Sequence, residues 1–141
     1  MKQVALIPLI LAAAAACSTA APQPERFVDD AEAQALATAA PIGPAQSCLQ
    51  MRRIKSTEGV SDRAIIFELD GGDLYRNELP ARCPGALRNQ AFSYRTPSSQ
   101  LCRSEILSFF DASSGVEQGA CTLGDFVPID EHAAKLAASG R

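Results

Sequence analysis

The sequence predicts a mainly β fold: a small antiparallel barrel or sandwich of five to six short strands, stapled by two disulfides, with short terminal helices. Two observations predict this class. Short strand-like segments recur from residue 47 to residue 128, separated by clusters of Pro, Gly and Ser, and four of the five cysteines lie in that stretch. A hydrophobic core alone gives a domain of roughly 80 residues only marginal stability, so disulfides are expected to matter.

Residues 1–16 are predicted to be a secretory signal peptide. Met1 and Lys2 supply a positive start, and residues 4–16 form an uncharged apolar run. That run is too short to cross the ~30 Å hydrocarbon layer, which takes about 20 helical residues.

Cys17 is the predicted lipidation site. The stretch Ala14-Ala15-Ala16-Cys17 resembles the bacterial lipobox, although Ala14 stands where Leu is usual. Several acyl chains on one cysteine anchor a protein firmly, whereas a single chain binds only marginally. Ser18 follows, where Asp is the usual signal for the inner membrane. The expected location is therefore the outer membrane facing the periplasm, with a soluble periplasmic protein as the alternative.

Two alternatives to lipidation stay open: signal-peptidase cleavage after Ala20, and an uncleaved segment that tethers the chain to a membrane. The number of cysteines separates them in part. Both cleavage hypotheses leave an even set suited to an oxidising compartment, whereas an uncleaved chain would leave one thiol over. The even set is Cys48, Cys83, Cys102 and Cys121.

The charge of the chain argues against a nucleic-acid partner. The sequence has 13 basic and 16 acidic residues, and loss of Lys2 with the signal peptide leaves 12 against 16, a net charge of −4. Nucleic-acid binding needs a basic face or stripe, and the arginines here are scattered. No polybasic patch for anionic lipid is present either.

The domain organisation follows from composition. Residues 17–46 are predicted to be a lipid-anchored flexible linker, because they are rich in Ala, Pro and small polar residues. A short helix over residues 31–40 would bury little area, since its apolar side chains are nearly all alanine. The disulfide-bonded β domain is expected to span residues 47–128. Residues 129–141 are predicted to be a C-terminal helix or tail, with Asp130 near the helix start.

The clearest strand signal lies before a turn at residues 70–73. Ile65, Phe67 and Leu69 occupy alternate positions, which predicts a strand with one buried face. The Asp-Gly-Gly-Asp turn then leads into a second hairpin strand at residues 74–79. The two aspartates of this turn could suggest a calcium site, but the turn lacks the six or more oxygen ligands that calcium needs. Further strands are predicted at residues 49–57, 91–96, 105–111 and 119–127, and a helical turn within residues 81–90.

The sequence does not determine the disulfide connectivity, because four cysteines allow three pairings. We favour Cys83–Cys102, which closes a short loop, and Cys48–Cys121, which ties the first strand to the last. Zinc is disfavoured because no C-x-x-C pair is present, and the same absence argues against a redox role. No metal and no cofactor are predicted.

No catalytic residue is predicted. The one histidine, His132, lies in the polar tail, and no nucleophile motif or phosphate-binding glycine loop is present. Four carboxylates flank one hairpin, as a hydrolase site would need, but we interpret them as a charged outward face that prevents edge pairing. They are Glu68, Asp70, Asp73 and Glu78.

One cluster of side chains admits two interpretations. Tyr75 and Asn77 share a face of one strand, and Phe92 and Tyr94 share a face of another. They form either a packed core with tyrosine hydroxyls at its edge, or a shallow aromatic groove for a ligand, a glycan or a peptide. The sequence does not separate the two.

An ordered series of short motifs runs along the chain from Cys48 to Phe126. It consists of Cys48, Tyr75-Arg76-Asn77, Leu79, Cys83-Pro84-Gly85, Phe92-Ser93-Tyr94, Leu101-Cys102 and Cys121-Thr122-Leu123-Gly124-Asp125-Phe126. By these motifs, residues 62–128 resemble an uncharacterised family of small exported alphaproteobacterial proteins of the sphingomonad type, a domain of unknown function with four cysteines. Glu105 stands where Asp is expected in the family pattern. The resemblance implies a signal peptide, a cysteine-stapled domain and no assigned activity.

Together these features predict an exported envelope lipoprotein with a non-enzymatic binding or structural module. Its partners are expected to be the membrane, through the lipid anchor, and an envelope protein or glycan. The alternatives are a small periplasmic hydrolase that uses carboxylates, and an unlipidated soluble periplasmic protein. The hydrolase requires a cleft in which carboxylates converge with pKa values pushed apart.

Overall fold

The structure, a computed structural model, describes residues 30–88 and 91–139. The predicted signal peptide and Cys17 lie outside the described residues. Within them the elements are α1 (Asp30–Thr38), β1 (Cys48–Gln50), a 3-10 turn (Met51–Arg53), β2 (Ile54–Ser61), β3 (Ala64–Leu69), β4 (Leu74–Glu78), α2 (Pro84–Arg88), β5 (Ala91–Tyr94), β6 (Gln100–Cys102), β7 (Ile106–Phe110), β8 (Glu117–Thr122), β9 (Phe126–Ile129) and α3 (Glu131–Ala138).

A four-stranded antiparallel sheet in the order β2-β3-β4-β9 forms the middle layer of the fold. Its central strand β3 is buried on both faces: Phe67 points into the main core, and Ile66 points toward the helices. The prediction of a single buried face for this strand was therefore wrong. The polar residues Glu68 and Asp70 made the second face look solvated, but α1 and α3 cover it nearer the start of the strand.

The main core lies between this sheet and two smaller antiparallel sheets, β1-β6 and β5-β7-β8. Phe67 and Phe126 meet edge to face at its centre, with ring centroids 5.3 Å apart. Sheets that pack face to face across one core are typical of a sandwich. The predicted class is confirmed: mainly β, with two disulfides and short helices near both ends of the described chain.

The strands are shorter and more numerous than predicted. The predicted strand at residues 49–57 is divided into β1 and β2 by the 3-10 turn, and the predicted strand at residues 119–127 is divided into β8 and β9. Residues 123–125 interrupt the second pair, where Gly124 passes so close to β4 that a Cβ atom would meet the Glu78 carbonyl oxygen at 1.8 Å. The predicted hairpin of β3 and β4 is present, and both turn glycines have positive φ.

Residues 30–46 belong to the folded domain, which corrects the predicted linker over its second part. Leu36 of α1 is buried in a second core beneath the sheet. The alanines of α1 allow the helix to lie close to that core. Arg76 then donates a hydrogen bond to the Ala39 carbonyl oxygen (2.5 Å), and Pro41 forms a bridge with Ile129.

The predicted disulfide pairing was wrong, although the two disulfides themselves are present. Cys48 bonds to Cys102, its directly opposite neighbour in the β1-β6 ladder, with Cα atoms 4.0 Å apart. Cys83, just before α2, bonds to Cys121 of β8 (Cα–Cα 5.9 Å). The predicted partners were exchanged because strand β6, three residues long, carries no alternation from which its pairing with β1 follows.

The C-terminal helix is confirmed as α3. Asp130 precedes the helix, and its Oδ1 accepts a hydrogen bond from the Ala133 N–H at 3.0 Å. Glu131 in the first turn forms an ion pair with Lys135 one turn later. The helix packs beside α1 and buries Ala134 in the second core.

Candidate functional site

The outer face of the three-stranded sheet β5-β7-β8 is the candidate site. Leu107 and Phe109 of β7 point into the main core, so the alternate residues Ile106, Ser108 and Phe110 point outward. This face lies on the opposite side of the main core from the central sheet and its helices. Ile106 is 57% exposed there.

An open hollow of about 630 Å³ lies on this face. Residues from all three strands and from both adjoining turns form its walls. They are Ser93, Arg95, Ser104, Glu105, Ile106, Ser108, Phe110, Gly115 and Glu117.

The turn before β7 shapes one end of the hollow. Ser104 has φ 70°, an uncommon conformation for a residue with a side chain, and its N–H donates to the Leu123 carbonyl oxygen (2.9 Å). Glu105 Oε2 accepts a hydrogen bond from the Cys102 N–H at 2.7 Å. The Cys48–Cys102 disulfide adjoins this turn, so this end of the hollow lies next to the β1-β6 strand pair, which the disulfide cross-links.

The loop between β7 and β8 shapes the other end. Asp111 Oδ1 accepts hydrogen bonds from the N–H groups of Ser113 (2.9 Å) and Ser114 (2.8 Å). The hydroxyl of Ser113, together with these N–H groups, lowers the pKa of Asp111 from 3.8 to about 2. The loop is therefore held by an ionised carboxylate, and it leads to Gly115 at the wall of the hollow.

Several polar groups of the hollow are unused within the described part of the chain. The side chains of Arg95 and Glu117 form no ion pair or hydrogen bond with any described residue, and neither do the hydroxyls of Ser93, Ser104 and Ser108. Their donors and acceptors face a space with an apolar floor. A few placed polar groups over apolar surface are typical of ligand sites.

The register of the strands gives the separation between the Cα atoms of Arg95 and Glu117, two residues that line the hollow. Tyr94 pairs with Leu107 and Phe110 pairs with Glu117, so Arg95 and Glu117 lie at diagonal corners. Across the sheet, their strands are separated by two spacings of ~4.8 Å. Along β7, their positions differ by four residues of ~3.4 Å each. In a flat sheet their Cα atoms are therefore about 17 Å apart. The guanidinium and the carboxylate thus reach into the hollow from opposite ends.

The structure does not bring the four predicted groove residues into one site. Asn77 is fully buried and bonds to Gly124, and Phe92 packs on Phe109 with ring centroids 6.1 Å apart. Tyr75 lines a different hollow, where its hydroxyl accepts a hydrogen bond from Gln46 (3.0 Å). Tyr94 is 40% exposed and lines a third, shallow hollow.

The four predicted carboxylates do not converge. Glu68 forms an ion pair with Lys55 (2.5 Å), and its carboxylate raises the pKa of that lysine. Asp73 pairs with Arg53 at 3.5 Å, Glu78 pairs with Arg76 at 2.6 Å, and Asp70 is exposed beside the turn.

His132 lines the same hollow as Tyr75, with Asp73, Asp130 and Glu131 nearby. That hollow has a volume of about 550 Å³. In residues 30–88 and 91–139, however, no three side chains of the metal-binding types come together as a metal site.

Sequence reasoning missed the hollow. The alternation of Ile106, Ser108 and Phe110 marks an outward face, but Arg95 and Glu117 reach it only through the pairing of β5 and β8 with β7. The ligand groove considered from the sequence was formed mainly by aromatic side chains instead, and one of these, Phe92, packs against the main core.

Comparison with protein-family models, with curated proteins and with solved structures finds no match for this chain. Among the described residues, every helix is too short or too polar to pass through a membrane.

Proposed function

We propose that this chain is an exported envelope lipoprotein whose β domain is a non-enzymatic binding module, with the outer face of β5-β7-β8 as its binding site. One observation carries the site: unused side-chain donors and acceptors from three strands surround a hollow that also contains Ile106 and Phe110. The export and anchoring steps depend on residues 1–16 and Cys17, and the cysteine number of the domain supports them. The resemblance to the uncharacterised exported family belongs to the same proposal.

In the layer order of the fold, the proposed binding face lies far from the point where a lipid-anchored linker would join the domain. The chain enters the described domain at Asp30, on the side where α1 covers the central sheet. The 12 residues between Cys17 and Asp30 reach at most about 40 Å. An anchor at Cys17 would attach to the domain on the helical side, and the hollow lies on the other side of the main core, away from this attachment point.

The ion pairs count against hydrolysis by the predicted carboxylates of the β3-β4 hairpin. A glycosidase-type or protease-type site needs two carboxylates close together with different pKa values. Glu68, Asp73 and Glu78 each bind a different cation, and each belongs to a different part of the hairpin. Of these pairs, only Lys55–Glu68 joins two strands of the central sheet, β2 and β3.

Site-specific photo-crosslinking in intact cells tests this proposal. A benzophenone-bearing residue replaces Ser108 on the binding face, and the matched control carries it in place of Gln34, an exposed position of α1. We expect discrete adducts from position 108 that are absent from position 34. These adducts should disappear when the protein is expressed without its predicted signal peptide, residues 1–16. Equal or absent adducts at the two positions would contradict a binding role for this face.

A further inference from the structure

We infer that the hollow on the β5-β7-β8 face takes an uncharged oligosaccharide. This inference rests on the proposed function and names the ligand class for the same site.

The hollow presents both donors and acceptors around an apolar floor. Arg95 offers only donors, Glu117 offers only acceptors, and the hydroxyl of Ser108 offers both. Ile106 and Phe110 lie between them on β7. A sugar ring has the complementary surface, because its hydroxyls donate and accept around the edge while its C–H groups form an apolar face.

The position on a sheet face disfavours an extended peptide. Strand addition needs free backbone N–H and C=O groups at a sheet edge. The backbone of β7, at the floor of the hollow, is already paired with β5 on one side and with β8 on the other. A peptide lying on this face would find side chains only and would leave its own N–H and C=O groups without partners, at a cost in free energy.

The charges disfavour an acidic ligand. Two carboxylates, Glu105 and Glu117, line the hollow beside the single guanidinium of Arg95. An anionic sugar chain would meet a net negative site, whereas a neutral one lets each carboxylate accept hydroxyl hydrogen bonds. The Cα atoms of Arg95 and Glu117 lie about 17 Å apart and their side chains reach inward, so one short sugar chain in the hollow can contact both groups.

The test is an NMR titration of the full, isotope-labelled chain. The protein is kept in detergent, and both of its disulfides are formed. The uncharged probes are maltotriose and the N-acetylglucosamine trimer. The contrasting probes are trigalacturonate, which carries carboxylates, and trialanine with both ends blocked. We expect an uncharged trimer to shift the amide signals of residues 93–95, 104–110 and 117.

Two variants and two matched controls locate the ligand. Arg95→Gln and Glu117→Gln are each expected to raise the Kd of the uncharged trimer at least about five-fold, since each loses a hydrogen bond to a charged group. Arg63→Gln and Asp70→Asn change exposed residues of the same types in the turns of the central sheet, and we expect them to leave the Kd unchanged.

Each other outcome overturns the inference. Binding of blocked trialanine or trigalacturonate alone would show that the face binds a different class of ligand, and the binding-module proposal would stand. Equal Kd values for all four variants would place the sugar elsewhere on the protein. Shifts from none of the probes would remove the sugar ligand, and the crosslinks from position 108 would then decide the proposed function on their own.

Discussion

Asn77 holds the loop before β9 against the central sheet, and Asn77→Asp should weaken this contact in a pH-dependent way. Its Nδ2 donates to the Gly124 carbonyl oxygen (2.8 Å), and its Oδ1 accepts from the Gly124 N–H (2.9 Å). The side chain is 0% exposed. An ionised aspartate has the same shape but no N–H, so two oxygens would face each other without a proton. A protonated aspartate restores the missing donor.

The magnitude follows from burial of the charge. Leaving a buried acceptor unsatisfied costs about 1–3 kcal/mol, and more when a charged group is involved, so we expect a loss of about 3 kcal/mol at pH 7. Burial raises the pKa of the new carboxyl in the folded state only. The loss is therefore small below about pH 4 and grows by about 1.4 kcal/mol per pH unit above it. It levels off about two units higher.

Urea unfolding with both disulfides intact measures this loss. The free energy of unfolding is determined for the wild type and for Asn77→Asp between about pH 4 and pH 7. Asn77→Ala, which cannot titrate, is the control and should lose a similar amount at every pH. A loss for Asn77→Asp that is the same at pH 4 and pH 7, or below about 1 kcal/mol at pH 7, would refute the reasoning.

Three further predictions concern other contacts. Gly59→Ala places a Cβ atom 1.8 Å from the Ala86 carbonyl oxygen and should cost about 3 kcal/mol in urea unfolding, whereas Gly43→Ala, with its nearest neighbour at 3.4 Å, should be nearly neutral. Because the pKa of Asp111 is lowered from 3.8 to about 2, its ionised carboxylate stabilises the fold at pH values above 3.8, and this stabilisation is lost as the pH falls through about 2. When the free energy of unfolding is measured against pH, Asp111→Asn should therefore lack this acid-induced decrease. Arg76→Met frees the end of α1, so amide exchange in α1 should rise at least about ten-fold while β3 stays protected. Equal exchange in both proteins would contradict that role.

The local part of the fold could be predicted from the sequence, and the long-range part could not. The hairpin of β3 and β4 follows from alternation and from two turn glycines. The second buried face of β3 depends on Leu36 and Ala134, which lie on helices at the two ends of the described chain. The pairing of Cys48 with Cys102 depends on a two-stranded sheet of three residues per strand, which is too short for any period to appear.

The candidate site shows the same division. Ile106, Ser108 and Phe110 alternate within one strand, so their common face can be derived from the sequence. The hollow exists because β5 and β8 place Arg95 and Glu117 on that face, and pairing between strands distant in the chain is not a local property. For Asn77 the sequence left a packed core and a ligand groove open, and its burial and its two hydrogen bonds to Gly124 make it part of the core.

The intact mass of the protein from native envelopes, before and after reduction, tests the central claim most directly. The account predicts a chain that begins at Cys17, carries acyl groups, and gains four hydrogens on reduction, two for each disulfide. Peptide mapping of the oxidised sample should then give Cys48 joined to Cys102 and Cys83 joined to Cys121. A mass that begins at Met1, without lipid and unchanged by reduction, would contradict both the export and the disulfide framework.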